Sequence, residues 1–334
     1  MNKEGADIIC PIITPFDSEA VPSREYTKIF LEDLREMGVK KIFPLGSNGL
    51  FNLMTMEQKK SFLKIIQEEG GDFETIVGIG SQNTAEAIEM AKYAEDLGFG
   101  RIVLQPTYYL KAEQSWIMRH FEVVSSIFNG KIFVYNIPQF TNSRIEIETF
   151  STIVENIGNI EGIKDSSGDI RFFNELCSTF STKLKLYQGQ DDLLLQSLIM
   201  GARGGVCGTT NINPLALEVY DSVIRGQMQK AAKAQKLLIS LFRIINYYPF
   251  PAMVYAVFYR KHNLKGKLPE PITTMSKIVE TKIMDVLNFP CYIPPSQSKP
   301  IIEEAINSFF MSSSISHLLS ELYFILPQFS LESL

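Results

Sequence analysis

The sequence predicts an α/β fold, a (β/α)8 TIM barrel with an appended C-terminal helical layer, on two observations. Short β-branched apolar runs alternate with amphipathic stretches of helical period. Eight such units fall within about 220 residues, which is the number and size of the units in this barrel. An open doubly wound sheet is the alternative, but no GxGxxG motif follows the first run, and eight units suit closure better.

The eight predicted strands are short and do not alternate strictly between apolar and polar residues, which is typical of strands buried on both faces. In chain order they are DIICPII (7–13), KKIFPL (40–45), ETIVGIG (74–80), GRIVLQP (100–106), KIFVYNIP (131–138), IEGIK (160–164), KLKLYQG (183–189) and GGVCG (204–208).

The helices between the strands are predicted from their apolar stripes and from their start and stop signals. Thr55 and Gln58 form a capping-box pattern at the start of one helix, and Gly70 marks its end. The predicted helices lie at about 24–38, 55–71, 83–98, 113–128, 146–157, 171–180, 191–200 and 214–225.

The pattern divides the chain into three segments. Residues 1–225 form the barrel, and the strand signals stop after them. Residues 226–290 are predicted as C-terminal helices packed on the barrel, at 226–248, 251–263 and 272–288. Residues 291–334 are predicted as a linker followed by a C-terminal helical extension of unknown role.

Composition narrows the class of protein. The net charge of −5 argues against a broad polyanion-binding surface, so no nucleic-acid partner is expected. No run of about 18 apolar residues is present, so no membrane-spanning helix is expected. The four cysteines are far apart and no apolar leader is seen, which indicates a reduced, cytoplasmic protein. The three histidines are scattered, so no metal site is expected.

The stretch EGIKDSSGDI (161–170) places Lys164 at the carboxyl end of the sixth predicted strand. Active sites of this barrel lie at that face. A lysine behind an apolar run loses hydration as an ammonium ion, which favours the neutral amine that attacks a carbonyl. A lysine that extends to solvent from a strand end is the structural alternative.

Other strand ends carry groups that suit the same chemistry. Tyr135 ends the fifth strand and offers a phenol for proton transfer, although it could equally be an interior aromatic residue. The turn GSNG (46–49) offers backbone N–H groups to a carboxylate, unless it is an ordinary turn. Gly189, Gly205 and Gly208 permit a ligand to approach the backbone closely. The combination of a lysine, a phenol and a site for a carboxylate is typical of a class I aldolase. In such an enzyme the amine forms a Schiff base with a 2-keto acid.

Over about residues 5–290 the sequence resembles the N-acetylneuraminate lyase and dihydrodipicolinate synthase superfamily. The motifs that carry the resemblance occur in the family's order and spacing. They are PIITPF (11–16), GSNG (46–49), YNIP (135–138), GIKD (162–165), QGQDD (188–192) and GGVCGTTN (204–211).

The resemblance implies roles for individual residues. Lys164 would be the Schiff-base lysine and Tyr135 the proton-shuttling tyrosine. Ser47 and Asn48 would hold the carboxylate of pyruvate, and the backbone of Gly189 and Val206 would face the bound keto acid. Tyr108 matches a tyrosine that in many members reaches into the neighbouring subunit's site, which implies at least a homodimer and usually a homotetramer built as a dimer of dimers.

Two departures from the superfamily pattern indicate a branch. Phe140 stands where dihydrodipicolinate synthases carry an arginine, and Leu50 stands where synthases and lyases usually carry a glutamate. Both resemble 2-keto-3-deoxygluconate (KDG) aldolases of the modified Entner–Doudoroff pathway. Ser166 would then meet the sugar's hydroxyls, and Lys111 lies near a cation that some of these enzymes use for a phosphorylated substrate.

The resemblance therefore implies reversible cleavage of KDG to pyruvate and D-glyceraldehyde, without a metal or another cofactor. Lys164 and Tyr135 would act with the assistance of Ser47 and Tyr108. Several alternatives remain at this point: use of the 6-phosphate form, a dihydrodipicolinate synthase, an N-acetylneuraminate lyase, a keto-deoxy sugar acid dehydratase, or a non-catalytic regulator that binds a keto acid.

Overall fold

Nine parallel strands form one sheet that closes into a barrel. The computed structural model describes residues 7–246 and 249–272, together with Ile283, Val286 and Phe289. The strands are β1 (Ile8–Cys10), β2 (Lys41–Ile42), β3 (Glu74–Thr75), β4 (Val77–Gly78), β5 (Arg101–Leu104), β6 (Lys131–Asn136), β7 (Ile160–Asp165), β8 (Lys185–Gln188) and β9 (Gly204–Val206).

Closure follows from the order of the strands. The hydrogen-bonded order is β3-β2-β1-β9-β8-β7-β6-β5-β4, so β3 and β4 are the two ends of the sheet. Only Ile76 separates β3 from β4 along the chain, and together they occupy one of eight barrel positions. Each of the eight predicted strands overlaps an observed one, and the predicted barrel is confirmed.

The helices surround this barrel. They are α1 (Arg24–Glu36), α2 (Met56–Glu69), α3 (Thr84–Asp96), α4 (Gln114–Ser125), α5 (Pro138–Thr141), α6 (Ile147–Asn156), α7 (Ile170–Phe180), α8 (Leu194–Ile199), α9 (Leu215–Ile224), α10 (Met228–Ile245) and α11 (Ala252–Lys261). The capping box before α2 is present, with Thr55 and Gln58 each accepting the other's backbone N–H. The short α5 was not predicted, because its four residues continue an apolar strand run.

The appended layer is fastened to the barrel by side-chain hydrogen bonds. Helix α10 packs against α9, and its Gln235 amide donates to the carbonyl of Asp191 at 3.0 Å. On α11, the Tyr255 hydroxyl accepts from the N–H of Thr14 at 3.1 Å. The described residues do not include most of the helix predicted at 272–288. They also do not include any of the predicted extension at 291–334. Among the residues described, no helix is long and apolar enough to span a membrane.

Apolar and aromatic side chains fill the barrel interior, so its axis is a packed core and not a channel. The buried cluster consists of Ile9, Phe43, Ile76, Val103, Phe133, Tyr135, Ile137, Tyr187 and Val206.

A charged cluster closes the N-terminal end of the barrel, opposite the face where the strands end. Asp7 is 1% exposed and precedes β1. Its Oδ1 accepts from Lys41 Nζ at 2.5 Å and from the Tyr187 hydroxyl at 3.1 Å, and the carboxylate also pairs with Arg203. Burial alone would lower the pKa of Lys41, but the hydrogen bonds and charges of Asp7 and Glu74 together outweigh it and the pKa is raised. The cluster therefore holds the amino ends of β1, β2 and β9 together and ties them to Tyr187 of β8.

We expect Asp7→Asn to lower the free energy of unfolding by about 3–5 kcal/mol at pH 7, because it leaves buried cations facing a neutral amide. Urea denaturation measures this change. Glu32→Gln is the matched control, since Glu32 pairs with Arg35 on the surface and is 64% exposed, and it should cost less than about 0.5 kcal/mol. A loss for Asp7→Asn no larger than that of the control would contradict the structural role of the cluster.

Candidate active site

Lys164 and Tyr135 lie side by side at the carboxyl ends of β7 and β6. The two residues are paired across the sheet, and both are buried, at 6% and 2% exposure. Lys164 Nζ lies 3.9 Å from the centre of the Tyr135 ring and 4.8 Å from the centre of the Phe43 ring. No carboxylate of the described residues forms an ion pair with it. The amine is shielded from bulk water and free of a salt bridge, as a nucleophilic lysine must be.

Hydrogen bonds on the outer side of the sheet fix this pair. Asp165 Oδ1 accepts from Asn136 Nδ2 at 2.7 Å, and Oδ2 accepts from the Ser167 hydroxyl at 2.8 Å. Asn136 Oδ1 accepts in turn from the N–H of Ile145 at 3.1 Å. Burial raises the pKa of Asp165 to about 6, although these hydrogen bonds oppose the shift. The Asn of YNIP and the Asp of GIKD thus position the catalytic candidates that precede them.

The GSNG turn presents unused polar groups. Within the turn, the N–H of Gly49 donates to the carbonyl of Gly46 and the N–H of Leu50 donates to the carbonyl of Ser47. No hydrogen bond within the described residues uses the N–H of Ser47 or Asn48. The Asn48 side chain is 7% exposed, and its Oδ1 has no hydrogen-bond partner in the described chain. Two backbone donors and a buried amide therefore remain for a ligand such as a carboxylate.

The PIITPF and GGVCGTTN motifs hold this turn from behind. The Thr14 hydroxyl donates to the carbonyl of Gly49 at 2.8 Å. Asn211 donates to the carbonyl of Pro11 at 3.0 Å and accepts from the N–H of Ile13 at 2.9 Å. Sequence reasoning recognised both motifs but assigned no role to Thr14 or Asn211, because their partners are distant in the chain.

Asp191 of the QGQDD motif is a second supporting residue that sequence reasoning missed. It is fully buried and accepts from the N–H of Gly208 at 3.0 Å, the N–H of Thr209 at 2.9 Å and the Thr209 hydroxyl at 2.6 Å. Burial raises its pKa against these bonds. A β-carbon added to Gly208 would lie 3.5 Å from the Asn48 amide, so Asp191 fixes the backbone on which that amide rests.

A cavity of about 290 Å³ opens at the C-terminal face of the barrel. Ser47, Gln105 and Tyr108 contribute polar groups to it, whereas Ile137 and Phe140 are on its apolar side. None of its described lining residues is charged. Ile137 follows Tyr135 by two residues, so the cavity lies at the same end of the barrel as Tyr135. Neither Lys164 nor Tyr135 is among its lining residues, and Lys164 lines a separate small cavity of about 10 Å³ inside the barrel.

Ser166 and Gly189 are brought together beside this site. Ser166 is 3% exposed, and a β-carbon added to Gly189 would lie 1.9 Å from its hydroxyl oxygen. The N–H of Gly189 donates to the carbonyl of Asp165 at 2.7 Å. Val206 belongs to the buried barrel cluster, so only its backbone is available to a ligand above that cluster.

The loop after β5 carries two predicted site residues, Tyr108 and Lys111, and only Tyr108 lines the cavity. Tyr108 lines the cavity of its own chain, with its ring edge-on to Phe51 at 6.1 Å, and burial raises its pKa. The next residue, Tyr109, is 84% exposed and has a left-handed φ of 83°. Lys111 is exposed and lies outside the cavity lining. Within the described chain, no group of three or more His, Cys, Asp or Glu residues could hold a metal ion.

Comparison with known proteins agrees with this geometry. The chain is 38% identical over 284 residues to an uncharacterized DapA-like lyase of Thermoplasma acidophilum, covering 84% of this chain and 97% of that protein. It is 36% identical over 262 residues to the 2-dehydro-3-deoxy-D-gluconate/2-dehydro-3-deoxy-phosphogluconate aldolase of Picrophilus torridus, covering 78% of this chain and 97% of that protein.

A solved structure and a family model give the same result. The 2-keto 3-deoxygluconate aldolase from Picrophilus torridus superposes with a TM-score of 0.78 at 35% identity, covering 82% of this chain and 99% of that chain. Residues 4–289 match the sequence model of the dihydrodipicolinate synthetase family, whose named relatives are lyases, aldolases and synthases. The buried lysine, its tyrosine neighbour and the motifs around them thus belong to a lyase, and the chain is a member of the dihydrodipicolinate synthetase family.

Proposed function

We propose that the protein is a class I aldolase that reversibly cleaves 2-keto-3-deoxygluconate to pyruvate and D-glyceraldehyde. The observation that carries the proposal is the buried Lys164 amine beside Tyr135, at the end of the barrel that also holds a cavity whose described lining has no charged residue. The similarity to an aldolase named for this substrate supports the same choice.

The proposed reaction begins at Lys164. Its amine attacks C2 of the keto acid, and the hydroxyl group of the adduct leaves as water with the proton of the Tyr135 phenol. The products are a protonated imine, which withdraws electrons from C3, and a Tyr135 phenolate. Tyr135, as its phenolate, takes the C4 hydroxyl proton, the C3–C4 bond breaks, and glyceraldehyde leaves while the electron pair forms an enamine. Protonation at C3 and hydrolysis of the imine release pyruvate and restore the amine. The imine is the electron sink, so the proposal needs no metal or other cofactor.

The groups around Lys164 suit the two ends of the substrate. The N–H groups of Ser47 and Asn48 and the Asn48 amide would bind the keto-acid carboxylate, with the Ser47 hydroxyl assisting proton transfer. The backbone of Gly189 and Val206 would face the keto acid, and Ser166 would meet a hydroxyl of the sugar acid.

The cavity favours an uncharged aldehyde. Phe140 lines it where a synthase would need a cation for the carboxylate of aspartate semialdehyde, and Leu50 lines it as well. Lys111, the candidate cation for a phosphorylated substrate, lies outside the lining. These contacts favour unphosphorylated KDG over its 6-phosphate and over the synthase reaction.

Incubation with pyruvate and borohydride should attach a reduced pyruvyl group to Lys164, located by mass spectrometry. Incubation with KDG should release pyruvate, measured with lactate dehydrogenase. Lys164→Ala should lose both signals, because it removes the amine that is proposed to form the imine. A fold check by circular dichroism serves as its control.

Each alternative function has its own outcome. An adduct on another lysine would overturn the mechanism. An adduct without turnover on a panel of sugar acids would indicate a keto-acid-binding regulator instead. Condensation with aspartate semialdehyde as efficient as with glyceraldehyde would indicate a synthase, and release of water without C–C cleavage would indicate a dehydratase.

Tyr135→Phe should reduce C–C cleavage by about 10²–10⁴-fold, the usual contribution of a positioned acid–base group. The pyruvate adduct should still form, if more slowly, since the amine remains. Tyr93→Phe is a matched control, because Tyr93 belongs to the outer helix α3, where its ring faces Lys60. Turnover near the wild-type rate in Tyr135→Phe would assign Tyr135 a packing role only.

The active unit is proposed to be a cytoplasmic homotetramer, a dimer of dimers, whose small-molecule substrates are its only required partners. The predicted crossing residue was Tyr108, but the exposed Tyr109 is better placed to reach a neighbouring chain. Mixing Lys164→Ala chains with Tyr109→Phe chains should restore activity towards about a quarter of wild type, because half the sites of mixed dimers are intact.

Mixing Lys164→Ala with Tyr108→Phe should restore nothing, because Tyr108 lines the cavity of its own chain. Subunit exchange is verified by native mass spectrometry. Restored activity in the mixture with Tyr108→Phe would indicate that Tyr108 is the residue that reaches the neighbouring chain. Full activity of a monomer would contradict a site shared between chains.

A further inference from the structure

Gln105 forms one wall of the cavity beside Tyr135. It follows Leu104, the last residue of β5, which is paired with Val134 of β6, so Gln105 leaves the sheet next to Tyr135. Side chains alternate along a strand, and Val103 points into the barrel cluster. Gln105 therefore points inward as well, and it is 5% exposed and lines the cavity.

Gly80 makes room for this side chain. A β-carbon built on Gly80 would lie 1.9 Å from Nε2, 2.2 Å from Cδ and 2.3 Å from Oε1 of Gln105. Gly80 is not among the glycines with a left-handed φ, so its backbone would accept an L-residue. The glycine is required by the space that the Gln105 amide occupies.

The Gln105 amide is unused by the protein. No described residue makes a hydrogen bond to it, although the side chain is nearly buried. The amide faces the cavity and is not among the fully buried polar atoms that lack a partner, so it stays accessible to a ligand that enters the cavity. Its Oε1 accepts and its Nε2 donates, so a hydroxyl group can pair with both atoms, whereas an ionised phosphate or carboxylate can only accept from Nε2.

We propose that Gln105 is a specificity-determining residue, whose amide hydrogen-bonds a hydroxyl of the aldehyde portion of the substrate, and that Gly80 positions it. The inference rests on the proposed aldolase function. Because Gln105 leaves the sheet beside Tyr135, it reaches the carbons next to the bond that Tyr135 breaks. It selects short, uncharged, hydroxylated aldehydes over alkyl aldehydes of the same length.

The test compares condensation of pyruvate with D-glyceraldehyde and with propanal, the analogue without hydroxyl groups. Gln105→Met keeps the length of the side chain but removes the amide. The ratio of kcat/KM for glyceraldehyde to that for propanal should fall roughly tenfold to a hundredfold. Borohydride should still trap the pyruvate adduct, since Lys164 is untouched.

Gly80→Ala supplies an independent test, because the new methyl group must displace the Gln105 amide. It should lower the same ratio in the wild-type background but not further in the Gln105→Met background. Gly71→Ala is the matched control, since a β-carbon there meets nothing within 4 Å, and it should leave the ratio unchanged.

The outcomes separate the inference from the function on which it rests. A wild-type ratio retained in Gln105→Met, or an equal loss from Gly80→Ala in both backgrounds, overturns the role of Gln105 while the aldolase function stands. A wild-type protein that condenses pyruvate with neither aldehyde overturns both.

Discussion

The hydrogen bond between Asn136 and Asp165 is the constraint on which the rest of the site depends. Both side chains are at most 1% exposed, and each follows a catalytic candidate by one residue. Successive residues of a strand point to opposite faces, so a bond on the outer face fixes the separation of Tyr135 and Lys164 on the inner face. Burial disfavours the charged form of Asp165, as its raised pKa indicates. Fixing the separation of Tyr135 and Lys164 through this residue therefore costs stability.

The two ends of the barrel satisfy their polar groups in opposite ways. At the amino end, Asp7, Lys41 and Arg203 are charged and paired. At the carboxyl end, the Asn48 Oδ1 has no partner among the described residues, and the Gln105 amide faces the cavity. Unsatisfied polar groups lower stability, and natural proteins retain them where a ligand completes them. The groups that stabilise the fold and the groups available to a ligand therefore lie at opposite ends of the barrel.

Most of the fold could be predicted from the sequence, because its signals are local. Each strand is a short apolar run, and Thr55 and Gln58 form the capping box that their spacing indicates. The position of Lys164 beside Tyr135 also follows from the barrel, since both end neighbouring strands. Local signals suffice wherever burial and periodicity decide the structure.

The remainder depends on contacts between distant segments. Gly80 follows β4 and Gln105 follows β5, and neither residue indicates the other until the barrel closes. The opposite directions of Tyr108 and Tyr109 follow from a left-handed φ at a non-glycine residue, which no composition rule predicts. Asn211 acts on Pro11 and Ile13 from 198 or more positions away.

The tyrosines of α11 tie the appended layer to the first barrel loop. The Tyr255 hydroxyl accepts from the N–H of Thr14, and the Tyr259 hydroxyl accepts from that of Phe16 at 3.0 Å. Phe250 and Pro251, just before α11, also line the cavity. The barrel is consequently not an autonomous module to which helices were added. Any recombination that exchanged this C-terminal segment between relatives would carry one wall of the substrate cavity with it, and would leave Lys164 and Tyr135 unchanged.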